Sequence, residues 1–241
     1  MPLRLRPLDG WMMSHSGSPL LPPELAGSRP VALLLDFDGV IVDSVGLKID
    51  AYLQIYADEP REKLDAIFAH QRSHGGVTRR HKFRHFETEV FGRAVTDAAI
   101  EDLSAAYTRL VHEAVVACPF VAGARQLLED IGGAAAMHVV SGTPHEELED
   151  IVVRRGLAPF FASIHGAPAT KLGAFREILD ARGYPPSRVL AIGDAVTEFE
   201  AAVSLGIAFL GVAPPGEPPP FPAGVPVVRS LVGVGAALGF A

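Results

Sequence analysis

The sequence predicts an α/β fold, a doubly wound parallel sheet with an inserted all-helical cap. Three observations predict it. Short apolar runs end repeatedly in small or acidic residues, helical patterns alternate with those runs from residue 119 onward, and 45–118 breaks the alternation with helices alone. Runs that are apolar throughout fit strands buried on both faces. Strand alternating with helix is the grammar of a parallel sheet covered by helices on both sides.

Taken in order, residues 1–29 are rich in Pro, Ser and Gly without periodicity and are expected to be a mobile leader that carries no chemistry. The core is expected over 30–44 and 119–241, starting with the apolar run Val31-Ala-Leu-Leu-Leu that ends in Asp36-Phe-Asp38-Gly39. The interruption reads as helices at 47–56, 62–70, 80–91 and 97–116. In the last of these Leu103, Ala106, Tyr107, Leu110, Val111 and Ala114 recur at helical spacing. An all-helical block placed directly after the first strand, 45–118, is a small second domain positioned to cover whatever lies at that strand's end. Strands are then expected in the stretches beginning at Met137, Phe161, Val189 and Ala208, with helices at 123–131, 144–155, 171–182 and 197–205. The segment 213–224 is proline-dense and reads as a loop, followed by a short strand near 225–228. The core is therefore Rossmann-like, and ligands in such sheets bind beyond the carboxyl ends of the strands. Asp36, Asp38, Ser141 and Asp194 fall at those ends.

Composition narrows the function classes. Apolar residues make up 49% of the 241 and charged residues 20%, enough for a buried core and against disorder throughout. With 28 acidic and 21 basic residues the net charge is −7, which argues against a dedicated nucleic-acid binder. One cysteine, Cys118, cannot form an internal disulfide. No stretch approaches the roughly 20 apolar residues a membrane span needs, and the N-terminus lacks the apolar heart of a signal peptide. A cytoplasmic protein without membrane or nucleic-acid partners is expected.

Four fragments carry chemistry. Asp36-Phe-Asp38-Gly39-Val40 puts two carboxylates two residues apart at the end of a buried strand, which suits one acid that attacks and one that shuttles a proton. Ser141-Gly142-Thr143 joins a strand to a helix, where a hydroxyl and free backbone N–H groups suit a phosphate, although an ordinary N-cap reads the same way. Lys171 opens a helix, an unfavourable place for a cation that asks for an explanation. Gly193-Asp194-Ala-Val-Thr-Glu198 ends the fourth strand with two acids four residues apart. Carboxylates around a phosphate require a cation, and hard oxygen donors select Mg²⁺.

In this order and spacing the four fragments resemble the haloacid dehalogenase superfamily of phosphohydrolases, over about residues 31–212. That resemblance implies an aspartyl-phosphate mechanism. Asp36 would be the nucleophile, Asp38 the general acid and base, and Lys171 a catalytic charge that also holds phosphate with Ser141 and Gly142. Asp36, the carbonyl of Asp38, and Asp194 would bind Mg²⁺. Glu198 stands where the family more often has Asp and is expected in a supporting position behind the metal. Keeping Asp38 separates this chain from relatives that displace halide or cleave a phosphorus–carbon bond, and favours phosphate-ester hydrolysis or phosphoryl transfer.

The helical insert resembles the cap of the phosphoglycolate phosphatase and β-phosphoglucomutase branch. Its Gly75-Gly76-Val77-Thr78-Arg79 turn looks like the cap loop that enters the active site there, since two glycines let backbone approach a ligand closely. Arg79, and second to it Lys82, are expected to bind a polar or anionic part of the substrate. The wording of this turn is also similar to phosphatase-like proteins encoded near bacterial surface-polysaccharide pathways, which points towards a sugar phosphate. The expected function is a Mg²⁺-dependent phosphatase of a small phosphorylated metabolite, acting as a monomer or homodimer. Alternatives are a phosphosugar mutase of the same superfamily and a non-catalytic binding or regulatory protein on this fold. His112, His138 and Cys118 are expected to be packed rather than catalytic.

Overall fold

A computed structural model of the chain describes residues 29–240 together with Pro22. The leader expected at 1–29 therefore lies outside the described residues apart from Pro22 and Arg29. Six parallel strands form one sheet: β1 (Ala32–Leu35), β2 (Ala136–Pro144), β3 (Ser163–Ala167), β4 (Val189–Gly193), β5 (Ala208–Val212) and β6 (Val227–Val228). Their order is β3-β2-β1-β4-β5-β6. The chain builds outward from β1 on one side and returns to build outward from β4 on the other. The crevice between β1 and β4 is thus the topological switch point where doubly wound sheets bind ligands.

Side chains of β1 alternate between two apolar layers. Leu33 and Leu35 pack on one face with Leu128, Leu148 and Ile151, while Ala32 and Leu34 pack on the other with Phe175, Ile178 and Ala202. All four β1 residues are at most 1% exposed, and each leucine contributes roughly 1.5–3 kcal/mol of burial. This two-sided burial is why the run is apolar without alternation.

Between β1 and β2 the chain makes the helices α1 (Val45–Ile55), α2 (Arg61–Ser73), α3 (Arg79–His85) and α4 (Asp97–Ala117). They enclose aromatic rings at contact distance, Tyr52 lying 5.0 Å from Phe83, 5.6 Å from Phe86 and 4.3 Å from Tyr107. The single helix expected over 80–91 is instead α3 followed by a π-helical turn, Phe86–Val90, closed by a bond from Phe91 N–H to the Phe86 carbonyl at 2.9 Å. Widening the turn keeps Phe86 buried while Glu87 accepts a 2.8 Å bond from the Tyr56 hydroxyl, which a regular helix would have turned away.

The core helices follow as α5 (Ala124–Ile131), α6 (His145–Arg154), α7 (Lys171–Arg182), α8 (Val196–Leu205) and a short α9 (Val234–Ala237) that the sequence pattern did not suggest. The two strands of chain entering and leaving the cap run side by side, with Asp43 N–H donating to the Pro119 carbonyl at 2.9 Å and Val121 N–H to the Ile41 carbonyl at 3.1 Å. Arg155 fixes the end of α4 by donating to the carbonyls of Val115, Val116 and Cys118 at 2.7–2.9 Å. Among the described residues no helix is long and apolar enough to cross a membrane.

Candidate active site

Asp36 follows β1 directly and is buried. Lys171, the first residue of α7, reaches under it: its ammonium is 2.8 Å from Asp36 Oδ1, 2.6 Å from Glu198 Oε1, and donates to the Val140 carbonyl at 2.6 Å. Burial disfavours this ammonium, but Asp36 and Glu198 outweigh that and hold it protonated above the ordinary lysine range. Thr170 caps the same helix through its hydroxyl, which accepts from Gly173 N–H at 3.1 Å.

Asp38 lies in a different set of contacts. Its Oδ1 accepts from the Ser44 hydroxyl at 2.5 Å, and its Oδ2 from Thr143 at 3.1 Å and Ser141 at 3.3 Å. Lys48 of α1 completes the set, 2.6 Å from Asp38 Oδ2 and donating to Thr143 Oγ1 at 2.9 Å. Burial alone would raise the Asp38 carboxyl, yet Lys48 and the Ser44 and Thr143 hydroxyls hold it below the usual carboxylate range. Ser141 Oγ in turn accepts from Thr143 N–H at 3.1 Å, so this hydroxyl links the Asp38 set to the backbone at the end of β2.

Asp36, Asp194 and Glu198 each bring a carboxylate oxygen within 4.8 Å of the others. Asp194 directly follows β4, and Gly39 lets it approach: Gly39 has φ of +76°, and a Cβ there would collide with the Asp194 carboxylate. Burial, against the pull of Lys171 and with help from Glu198 and Asp38, pushes Asp36 up to about 7. Asp194 is raised well above its ordinary value by burial and by Asp36 and Glu198. Glu198 Oε2 is buried without a hydrogen-bond partner. Three crowded acids, one lysine among them and an orphaned carboxylate oxygen are what a hard divalent cation would relieve, and the donor set fits Mg²⁺. Glu198, expected behind the metal, is itself a member of this cluster, whereas the Asp38 carboxylate is not and could contribute only through its carbonyl.

The cap closes over these groups. A Cβ on Gly75 would stand 2.8 Å from the Ala195 Cβ, one on Gly76 (φ +71°) would collide with the Thr197 hydroxyl, and one on Gly142 would stand 3.0 Å from the Gly76 carbonyl. The half-open cavity beneath the cap, about 110 Å³, runs from Asp36, Asp194 and Ser141 to Gln71, Arg79 and Lys82. Arg79 lines it but is engaged: it donates to Glu147 of α6 at 2.8 Å and to Thr108 of α4 at 2.5 Å, with its guanidinium 4.8 Å from the Tyr107 ring centre. The residue expected to bind substrate is therefore also a tie between cap and core.

Lys48, Gln71 and Glu147 were not singled out by sequence, and Thr143 figured only as the end of the Ser141-Gly142-Thr143 fragment, with no role of its own. Lys48 offered one signal, its position one helical turn after Ser44, which puts both on the face of α1 that meets Asp38. Gln71 and Glu147 offered none, because their roles arise where α2 meets α3 and where α6 meets the cap. His138 is fully buried against the Ser163 hydroxyl, 2.6 Å from its Nδ1, and Cys118 is buried with its thiol donating to the Val115 carbonyl. His112 pairs with Asp150 at 2.9 Å at the cap–core seam.

A family model described as haloacid dehalogenase-like hydrolase matches residues 33–212. No curated protein sequence matches the chain. Among solved structures the chain is similar to a Bacillus subtilis HAD-hydrolase, YfnB, bound to magnesium (TM-score 0.67, 18% identity, 88% of this chain and 99% of that one). It is similar to a CbbY mutant from Rhodobacter sphaeroides in complex with xylulose-(1,5)bisphosphate (TM-score 0.65, 17% identity, 84% and 95%). A predicted phosphoglycolate phosphatase from Haemophilus somnus also matches (TM-score 0.62, 17% identity, 78% and 87%). At these identities the likeness is one of fold.

Proposed function

The chain belongs to the haloacid dehalogenase-like hydrolase family, and we propose that it is a Mg²⁺-dependent phosphatase of a small phosphate monoester, working through an aspartyl-phosphate intermediate. The observation that carries this reading is Lys171, buried between Asp36 and Glu198 at 2.8 and 2.6 Å. Such a charge lowers the proton affinity of a buried carboxylate and so favours the ionised form that attacks an anion.

Asp36 Oδ forms a bond to phosphorus as the ester P–O bond breaks, and Asp38 gives the leaving oxygen its proton. In the second half Asp38 takes a proton from water as that water attacks phosphorus, releasing inorganic phosphate and restoring Asp36. The contacts from Lys48, Ser44 and Thr143 hold Asp38 as the base in the resting site; the arriving phosphate dianion raises its proton affinity for the acid step. Ser141 and the Gly142 N–H hold phosphoryl oxygens, and Lys171 offsets their charge. Asp36, Asp194 and the carbonyl of Asp38, with Glu198 beside them, would hold Mg²⁺, which when bound supplies further positive charge for the meeting of two anions. A phosphorylated sugar is one candidate substrate, in keeping with the bisphosphate bound by the similar Rhodobacter protein.

Phosphate release by wild type and Asp36→Asn across phosphorylated sugars, short phosphorylated acids, nucleotides and an aryl phosphate tests this. Turnover is expected with Mg²⁺, lost with EDTA, and lowered by about a thousandfold or more in the variant. No release from any ester would overturn the phosphatase, and a requirement for a sugar bisphosphate activator would mark a mutase instead.

A further inference from the structure

Four of the nine histidines fall between residues 70 and 85, as two His-x3-His pairs, His70 with His74 and His81 with His85. Three of them meet where α2 and α3 come together, away from the acids at the strand ends. The His70 ring lies between two others, 4.0 Å from His74 with the planes 7° apart and 4.0 Å from His85 with the planes 19° apart. The Phe86 ring stands edge-on to it at 5.4 Å. His70 and His85 are half-buried and His74 is exposed. His81 is engaged elsewhere, its Nδ1 2.9 Å from the Thr78 hydroxyl.

The hydrogen bonds decide which nitrogen of His74 is free. The Ser73 hydroxyl gives its one proton to the carbonyls of Ala69 and His70, at 2.9 and 3.3 Å, so towards His74 Nδ1 at 2.8 Å it can only accept. His74 Nδ1 therefore carries the proton, shared with the His70 carbonyl at 3.2 Å, and the lone pair is left on Nε2. Holding one ring N–H on a carbonyl or hydroxyl is how metal-ligating histidines are oriented. His70 and His85 make ring contacts and, among the described residues, no hydrogen bond through a ring nitrogen. Burial first, then His74, His85 and Lys82, pull His70 down to about 4, and no acid is among the groups that act on it. The ring is neutral at pH 7, so a proton does not compete for its lone pair.

Neutral imidazoles without carboxylates suit late first-row ions rather than Mg²⁺. Bonds from Zn²⁺ to imidazole are about 2.0–2.1 Å, so two rings 4.0 Å apart can share one ion after tilting towards it. Positions i and i+4 on a helix are the spacing that brings two imidazoles to one ion. His85 flanks His70 on the other side and joins by turning about its side-chain bonds. We propose that His70 and His74, with His85 as a third donor, bind a late first-row divalent ion such as Zn²⁺. The position is separate from the carboxylate cluster and independent of the phosphatase reading. It joins α2 to α3 on the two sides of the Gly75–Gly76 turn, the segment that seats on Ala195 and Thr197. Bound there, the ion holds the two helices together and steadies that turn.

Titration of Cu²⁺ into the tag-free chain with Mg²⁺ in excess tests it, read by electron paramagnetic resonance. One Cu²⁺ per chain should show splitting from imidazole nitrogens, a signature that the carboxylates of Asp36, Asp194 and Glu198 cannot give. Splitting from fewer nitrogens is expected in His74→Ala and in His85→Ala. His74→Ala should also weaken binding by more than the roughly 10–100-fold that loss of an outer-shell partner costs. His74 is exposed, so this variant should fold. A signal from oxygen donors alone, or splitting and affinity unchanged in His74→Ala, overturns the proposal. Under the same conditions Zn²⁺ should raise the thermal unfolding midpoint of wild type more than that of His74→Ala, and an equal rise in both also overturns it.

Discussion

Lys171 occupies the first position of α7, where the helix macrodipole disfavours a cation by about 0.3–1 kcal/mol. Its contacts with Asp36, Glu198 and the Val140 carbonyl explain the placement, and the mismatch with the dipole was the readable sign. Asp36, Asp38 and Asp194 were legible for a similar reason, since each interrupts an apolar strand that has no need of an acid. Lys48 and Gln71 were not, because a polar residue on a cap helix is ordinary until the tertiary fold brings it to the site. His138 gives a stability prediction at this scale. Burial first, with Arg182 and His165 adding, lowers it to about 4, below its ordinary 6.5. The folded protein binds the neutral ring, so this contribution is complete above pH 6.5 and lost as pH falls from 6.5 towards 4. Between pH 7 and pH 5 the loss is about 2 kcal/mol. Urea unfolding of wild type and His138→Asn at both pH values checks it: the gap between them should narrow at pH 5, and a constant gap would refute the assignment.

At the scale of elements, β1, β4 and β5 were legible because both faces of the sheet are covered there, which leaves whole runs apolar. By contrast, β2 runs on through Ser141–Pro144, beyond its apolar stretch, and β3 is half-buried and partly polar. Helix ends were read less well. The π turn at Phe86–Val90 carries the contact from Tyr56 to Glu87, a contact between helices that no local pattern encodes. The Gly75–Gly76 turn was legible as a loop whose backbone comes close to the site, but its seat against Ala195, Thr197 and Gly142 was not. That seat predicts a separation of stability from activity. Gly76→Ala forces a side chain into a left-handed residue facing Thr197, so the turn can no longer close on α8. Folding stability should fall by about 1–2 kcal/mol, while kcat/KM for the substrate falls by about tenfold or more, since closure sets the water-free geometry. Equal activity in the variant would show that closure on α8 is irrelevant to turnover.

The whole molecule joins two apolar layers around a sheet to a helical cap, and several ion pairs cross the seam between them. Arg79–Glu147 is the most buried of them, with side chains 7% and 8% exposed, and Lys48–Asp38 is largely buried at 17% and 16%, while Arg72–Glu217 and Arg154–Glu113 are exposed. Exposed pairs contribute about 0–1 kcal/mol each, so the two buried ones dominate. Glu147→Gln leaves a buried guanidinium without an acid and should weaken cap closure by about 3–5 kcal/mol. Hydrogen exchange reads this directly: amides of α3 and α4 should speed up far more than those of β1 and β4. Equal acceleration in the sheet would mean the pair supports the entire fold instead. The cap also begins and ends at one place, where Asp43 and Pro119 share a backbone hydrogen bond. A segment whose ends meet places almost no constraint on the scaffold that carries it. Insertions, deletions or wholesale replacement between those two points would leave the sheet's connectivity intact, so the acids at the strand ends keep their places whatever helical segment stands above them.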